Sequence, residues 1–219
     1  MNGKNEEDNQ KMADAIKIVL IGNSGVGKTC ISQKYINENE TISDRQECTV
    51  GASYFQKFLD IDDKSLQLDI WDTAGQEKYR SMGKMFYKDA FIVLFIYDIT
   101  DPQSFIDLKN VWYKELKDQG EKETILAVVG NKSDLFINEG VNENEARNWA
   151  NEIGAIFALV SAKTGDCIKL LFENAVRKYL NPKFVTKINE EKKIKGEKES
   201  IKISVDTHQK FKKKKKCSC

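Results

Sequence analysis

The sequence predicts an α/β protein: a mostly parallel six-stranded sheet, with one antiparallel hairpin strand and helices on both faces. Three observations lead there. Short apolar runs recur along the chain, as in strands buried on both faces. Helical patterns lie between them, which implies parallel crossovers. A glycine-rich turn joins the first strand to the first helix.

Residues 1–14 are polar and read as a mobile extension. Ile16 to Ile21 reads as a strand, and a helix follows the glycine-rich turn to about Asn37. Residues 38–51 lack apolar periodicity and read as a loop. Tyr54 to Ile61 and Leu66 to Trp71 alternate around Asp62-Asp63-Lys64, the pattern of a hairpin. Phe91 to Tyr97, Ile125 to Val129 and Ala155 to Val160 read as buried strands. Asp101-Pro102 opens a helix with a cap residue followed by proline. Two further helices cover Asn142 to Glu152 and Cys167 to Leu180. The lysine-rich stretch after Asn181-Pro182 sets the boundaries: a domain at 15–181 and a basic linker, expected to be disordered, at 182–219.

The 219 residues carry a net charge of +1, which hides an asymmetry. Residues 181–219 hold thirteen Lys against five Asp or Glu, a surplus of +8, so the remainder carries −7. A basic tail seeks phosphate on lipid or nucleic acid. The five cysteines are irregularly spaced, which argues against a disulfide framework. His208 is the only histidine, so a His-dependent triad or His-ligated metal in the body is excluded. The N-terminus has no apolar core of a signal peptide, and Phe91 to Tyr97 is too short to span a bilayer.

Gly22-Asn23-Ser24-Gly25-Val26-Gly27-Lys28-Thr29 fits the phosphate-binding loop G-x-x-x-x-G-K-[ST], between a strand and a helix. Backbone N–H groups from Asn23 through Cys30 can curl around an anion at a helix N-terminus. Lys28 places a charge on the β- and γ-phosphates, and the Thr29 hydroxyl can ligate Mg²⁺. A functionless glycine turn is the alternative, and the strand–loop–helix setting argues against it.

Asp72 ends a strand beside this loop, where it can hold Mg²⁺. Gly75 can offer its N–H to a γ-phosphate, and Gln76 can orient the attacking water. Asn131-Lys132-Ser133-Asp134 and Ser161-Ala162-Lys163 each follow a strand. The Asp134 carboxylate can accept from the N1–H and N2–H₂ edge of guanine, a donor pair that adenine lacks. Asn131 can tie this loop to the phosphate loop, the Lys132 stem can cover the base, and the Ala162 N–H can meet guanine O6. Together, and in this order, the pieces favour GTP over ATP.

These elements resemble the Ras superfamily of small GTPases from about Ile16 to Leu180. The phosphate loop places the chain in the P-loop NTPase class. Within that superfamily the chain most resembles the Rab family, through Thr49 to Tyr54, Leu68 to Trp71, Lys78 to Met82, Phe86 to Ala90 and Phe95 to Thr100. The resemblance implies that Thr49 completes the Mg²⁺ shell and senses the γ-phosphate. It also implies that Tyr54, Trp71 and Tyr79 face effectors, though core packing is an equal alternative for Trp71. The Thr-x-Gly-Ala-Ser-aromatic form leans toward the early-endosomal branch. Three departures stand out: a loop before Thr49 about two residues longer, Glu40 or Ile42 where an aromatic packs on the base, and Lys78 in place of Arg.

The terminus Lys212 to Lys216 followed by Cys217-Ser218-Cys219 resembles the doubly geranylgeranylated Rab end. Two chains beside lysines anchor durably, on the cytoplasmic face of endomembranes with a cytosolic pool. The expected activity is GTP hydrolysis with Mg²⁺, slow without an activating protein, because no arginine finger stands out; Arg45 is a weak candidate. The expected role is a switch in vesicle traffic. The expected partners are an exchange factor, a GTPase-activating protein, effectors and a GDP-dissociation inhibitor or escort protein, with the chain a monomer and no nucleic acid bound. Two competing readings are a nucleotide-locked binding module and a small-molecule kinase. Gln76 and Thr49 oppose the first, and the lack of an arginine-bearing lid opposes the second.

Overall fold

The computed structural model describes residues 15–39, 49–75, 86–118 and 124–184. Its sheet has six strands: β1 (Ile16–Ile21), β2 (Ala52–Ile61), β3 (Lys64–Thr73), β4 (Ile92–Asp98), β5 (Ile125–Asn131) and β6 (Ile156–Leu159), in spatial order β2-β3-β1-β4-β5-β6. Only β2 and β3 pair antiparallel; β1 pairs parallel with both β3 and β4, β4 with β5, and β5 with β6. All seven residues of β4 are buried, as the apolar run predicts for a central strand covered on both faces. The hairpin turns on Asp62 (φ 49°) and Asp63 (φ 63°), and Ile61 faces Lys64. Two left-handed residues in a two-residue loop match the right-handed twist of the strands they join. Both hairpin strands run further than the sequence pattern predicts, because ladder pairing continues where side-chain alternation fades.

The strands alternate their side chains between two cores. On one face Ile18, Leu20, Leu68, Ile70, Leu94 and Val129 meet α1 (Lys28–Ile36) and α5 (Ile168–Leu180), where Tyr35 stacks on Phe172 at 3.8 Å. On the other, Val19, Ile21, Val93, Phe95 and Tyr97 meet Phe105, Leu108 and Trp112 and the helix α4 (Glu143–Glu152). Asn142 caps α4 by accepting from Asn144 and Glu145.

The helix expected from Asp101-Pro102 forms and carries a π turn in its middle. Asp101 caps α2 (Pro102–Asp107) by accepting from the Gln103 N–H, a π turn follows (Leu108–Trp112), and α3 (Tyr113–Lys117) completes it. Among the described residues, no helix is long and apolar enough to cross a membrane.

The order of strands reverses at β1, which lies between β3 and β4. The loops leaving the carboxyl ends of β1, β3, β5 and β6 therefore open on one edge, the usual place for a ligand in such sheets.

Candidate functional site

The phosphate loop leaves β1 at Gly22 and enters α1 at Lys28. Gly27 has φ 94°, and a Cβ there would lie 2.3 Å from Asn131 Nδ2, so the position requires glycine twice over. Lys28 is only 5% exposed, and its ammonium donates to the carbonyls of Gly22 and Asn23, each at 2.8 Å. Those bonds hold a buried cation inside the loop. Ser24 and Gly25 are exposed, Val26 is buried, and Cys30 is half-buried. Burial pushes the Cys30 thiol above its ordinary range.

Asp72, at the end of β3, is fully buried. Its Oδ2 accepts from Thr29 Oγ1 at 2.6 Å and, weakly, from Thr49 Oγ1 at 3.4 Å; the two hydroxyls are 2.8 Å apart. Burial pushes the Asp72 carboxyl up, while the Thr29 hydrogen bond, the Lys28 charge and Thr49 oppose that shift. Its Oδ1 is buried without a partner. A buried carboxylate oxygen so orphaned, beside two converging hydroxyls, suits a hard divalent cation. Among the described residues no cluster of three His, Cys, Asp or Glu could hold a metal by itself. Mg²⁺ is commonly held this way, by few protein groups and substrate phosphates.

Gly75 lies against the phosphate loop: a Cβ there would sit 2.4 Å from the Asn23 carbonyl carbon and the Ser24 nitrogen. Gln76, Tyr79, Lys78 and the loop residues Glu40, Ile42 and Arg45 lie outside the described residues, as do Cys217 and Cys219.

The two segments expected to read the base meet. Asn131 Nδ2 donates to the Val26 carbonyl at 2.8 Å, and Ser161 Oγ donates to Asp134 Oδ1 at 2.6 Å. The Ala162 N–H, expected at the base, donates to Asn131 Oδ1 at 3.0 Å. That bond satisfies a buried N–H and locks the two loops together. The Lys132 ammonium pairs with Asp98 at 2.6 Å, which holds its stem along the edge, while Lys163 is exposed. Asp98 was not among the candidate site residues; its signals were its place one position past an apolar run and within the Phe95 to Thr100 stretch.

Tyr54 is 49% exposed and its ring lies 5.2 Å from that of Trp71. Its hydroxyl donates to Asp69 at 2.8 Å, and that hydrogen bond raises the Tyr54 pKa. Trp71 is half-buried and also packs on Phe86, with rings 5.7 Å apart. It therefore combines core packing with a surface edge.

Against known proteins, the Ras family model matches residues 17–181. The chain is 36% identical over 162 residues to Ras-related protein RABF2b of Arabidopsis thaliana, covering 74% of this chain and 80% of that protein. It is 37% identical over 164 residues to Ras-related protein Rab5A of Oryza sativa subsp. japonica, covering 75% and 79%. It is 40% identical over 164 residues to Ras-related protein Rab-21 of Geodia cydonium, covering 75% and 70%.

Proposed function

The chain belongs to the Ras family as a Rab-type small GTPase of vesicle trafficking, a GTP hydrolase, and from that premise we propose how its residues work. The Asp72–Thr29–Thr49 convergence, with its orphaned buried oxygen, carries the reading. Thr29, Thr49 and Asp72 would hold Mg²⁺. The ion neutralises charge on the phosphate oxygens when bound. Backbone N–H groups of residues 23–30 cradle the phosphates, and Lys28 swings its ammonium from the loop carbonyls to the phosphate oxygens.

The Gly75 N–H contacts the γ-phosphate, and Gln76 orients the attacking water. Asp134 reads the guanine edge, held by Ser161. Asn131, Ala162 and Lys163 complete that side, with Lys132 braced by Asp98. Catalysis is positioning and charge neutralisation, so hydrolysis is slow until an activating protein adds charge.

Thr49 is the switch contact. The γ-phosphate would add to the bonds its hydroxyl makes to Thr29 and Asp72, so hydrolysis loosens its loop. Tyr54, Trp71 and Tyr79 form the effector surface that this change exposes or withdraws. Lipids on Cys217 and Cys219 anchor the chain to the cytoplasmic face of endomembranes, and the relatives' Rab5 and RABF names support an endosomal one. An exchange factor and a GDP-dissociation inhibitor or escort protein cycle the chain, which acts as a monomer.

The test is single-turnover phosphate release by the purified full chain with GTP, ATP and Mg²⁺. Slow, Mg²⁺-dependent release from GTP alone is expected. Equal release from ATP, or none from GTP, would overturn the reading.

A further inference from the structure

The phosphate loop is braced by a helix on the opposite sheet face from α1. Asn23 Nδ2 donates to Asp107 Oδ2 at 2.6 Å, and Trp112 Nε1 donates to Asn23 Oδ1 at 2.7 Å. Both ends of one side-chain amide are therefore engaged. Asp107 Oδ1 accepts in turn from Gln103 at 2.7 Å. The Asn23 main chain faces the site: its carbonyl accepts from Lys28, and Gly75 lies against its peptide.

Asp107 and Trp112 are five residues apart. On an α-helix that spacing would turn them about 140° from each other. The π turn Leu108–Trp112 lies between them, and such a turn brings residues five apart toward one face. Local π turns are frequent at functional sites.

We propose that Asp107 and Trp112 are positioning residues of the phosphate loop, acting through Asn23, and that the π turn between them lets both reach it. This rests on the nucleotide-switch reading above. When Lys28 leaves the Asn23 carbonyl for a phosphate, the helix clamp is what keeps that peptide in register against Gly75. The clamp sets how long nucleotide stays and how well the γ-phosphate is placed.

The test compares the full chain with Asp107→Ala, Asn23→Asp, the double variant Asn23→Asp with Asp107→Asn, and Trp112→Phe. Release of a fluorescent GDP and single-turnover GTP hydrolysis are measured for each. Losing a hydrogen bond to a charged group should speed GDP release of Asp107→Ala about tenfold and slow hydrolysis. Asn23→Asp sets carboxylate against carboxylate and should release at least as fast. The double variant reverses the bond's polarity: an amide on the helix donates to a carboxylate on the loop, and its oxygen still accepts from Gln103. It should release more slowly than Asn23→Asp, and release and hydrolysis that change while the variants melt at the parent's temperature mark a positioning role rather than a structural one. The inference is overturned if Asp107→Ala releases at the parent rate, or if the double variant stays as fast as Asn23→Asp. Trp112 is buried, so the Asp107 pair decides the matter even if Trp112→Phe folds poorly. A parent chain that retains no GDP would instead overturn the functional reading, and with it the inference.

Discussion

Asn131 and Val26 are 105 residues apart in sequence, yet the Asn131 side chain donates to the Val26 carbonyl at 2.8 Å. One amide thus joins the end of β5 to the loop between β1 and α1, and its oxygen accepts from Ala162. Asn131→Ala leaves a buried carbonyl and a buried N–H without partners. Each such group costs about 1–3 kcal/mol, so GDP dissociation should quicken by about 10- to 100-fold. Stopped-flow release of a fluorescent nucleotide would measure it; an unchanged rate would mean that the loops hold together without this bond.

Gly75→Ala would drive a methyl to within 2.4 Å of the Asn23–Ser24 peptide. The segment must back away, and its N–H retreats from the γ-phosphate position. Hydrolysis should fall by about 10- to 100-fold while GDP binding persists, since a small misplacement costs that much. Single-turnover kinetics beside a GDP titration would separate the two effects, and parallel losses in both would contradict it.

Asp134→Asn should exchange base preference. Ser161 can still donate to the remaining oxygen, which leaves the new amide facing the base. That amide meets the O2 carbonyl of xanthine where the carboxylate met the guanine amine. GTP affinity should fall by more than about a hundredfold while xanthosine triphosphate gains. Competition between the two nucleotides checks this, and retained guanine preference would relocate the reader of the base.

Magnesium removal should act through Asp72. With EDTA, phosphate charge loses its counter-ion, so GDP release should accelerate and hydrolysis should stop. Thr29→Ala should mimic both effects in the presence of magnesium, because Thr29 supplies one of the three converging oxygens. Nucleotide release indifferent to EDTA would remove the metal from this site.

Replacing both Cys217 and Cys219 with serine should move the chain from the membrane to the soluble fraction. Single replacements should leave intermediate association, since one lipid chain binds only marginally. Fractionation of a tagged chain reads the result, and unchanged membrane binding would point to the lysines alone.

Much of this was legible in the sequence because its signals are local. Four apolar runs and one alternating pair predict six strands, and the spacing from Gly22 to Thr29 predicts the loop between β1 and α1. Asp62-Asp63 marks the hairpin because only certain residues tolerate its left-handed turn. The family resemblance added the weight given to Thr49.

The sequence by itself determined which groups exist: a lysine in a glycine loop, a strand-ending aspartate, an asparagine and a carboxylate at the end of β5 and in the loop after it. Which of them touch was decided by the sheet order, because contacts between distant segments depend on strands that sequence periodicity cannot rank. The β1 position between β3 and β4 brings Asp72 against Thr29. The π turn, invisible as a pattern, brings Asp107 and Trp112 to Asn23. Such bonds join residues tens of positions apart, and only close packing fixes their partners.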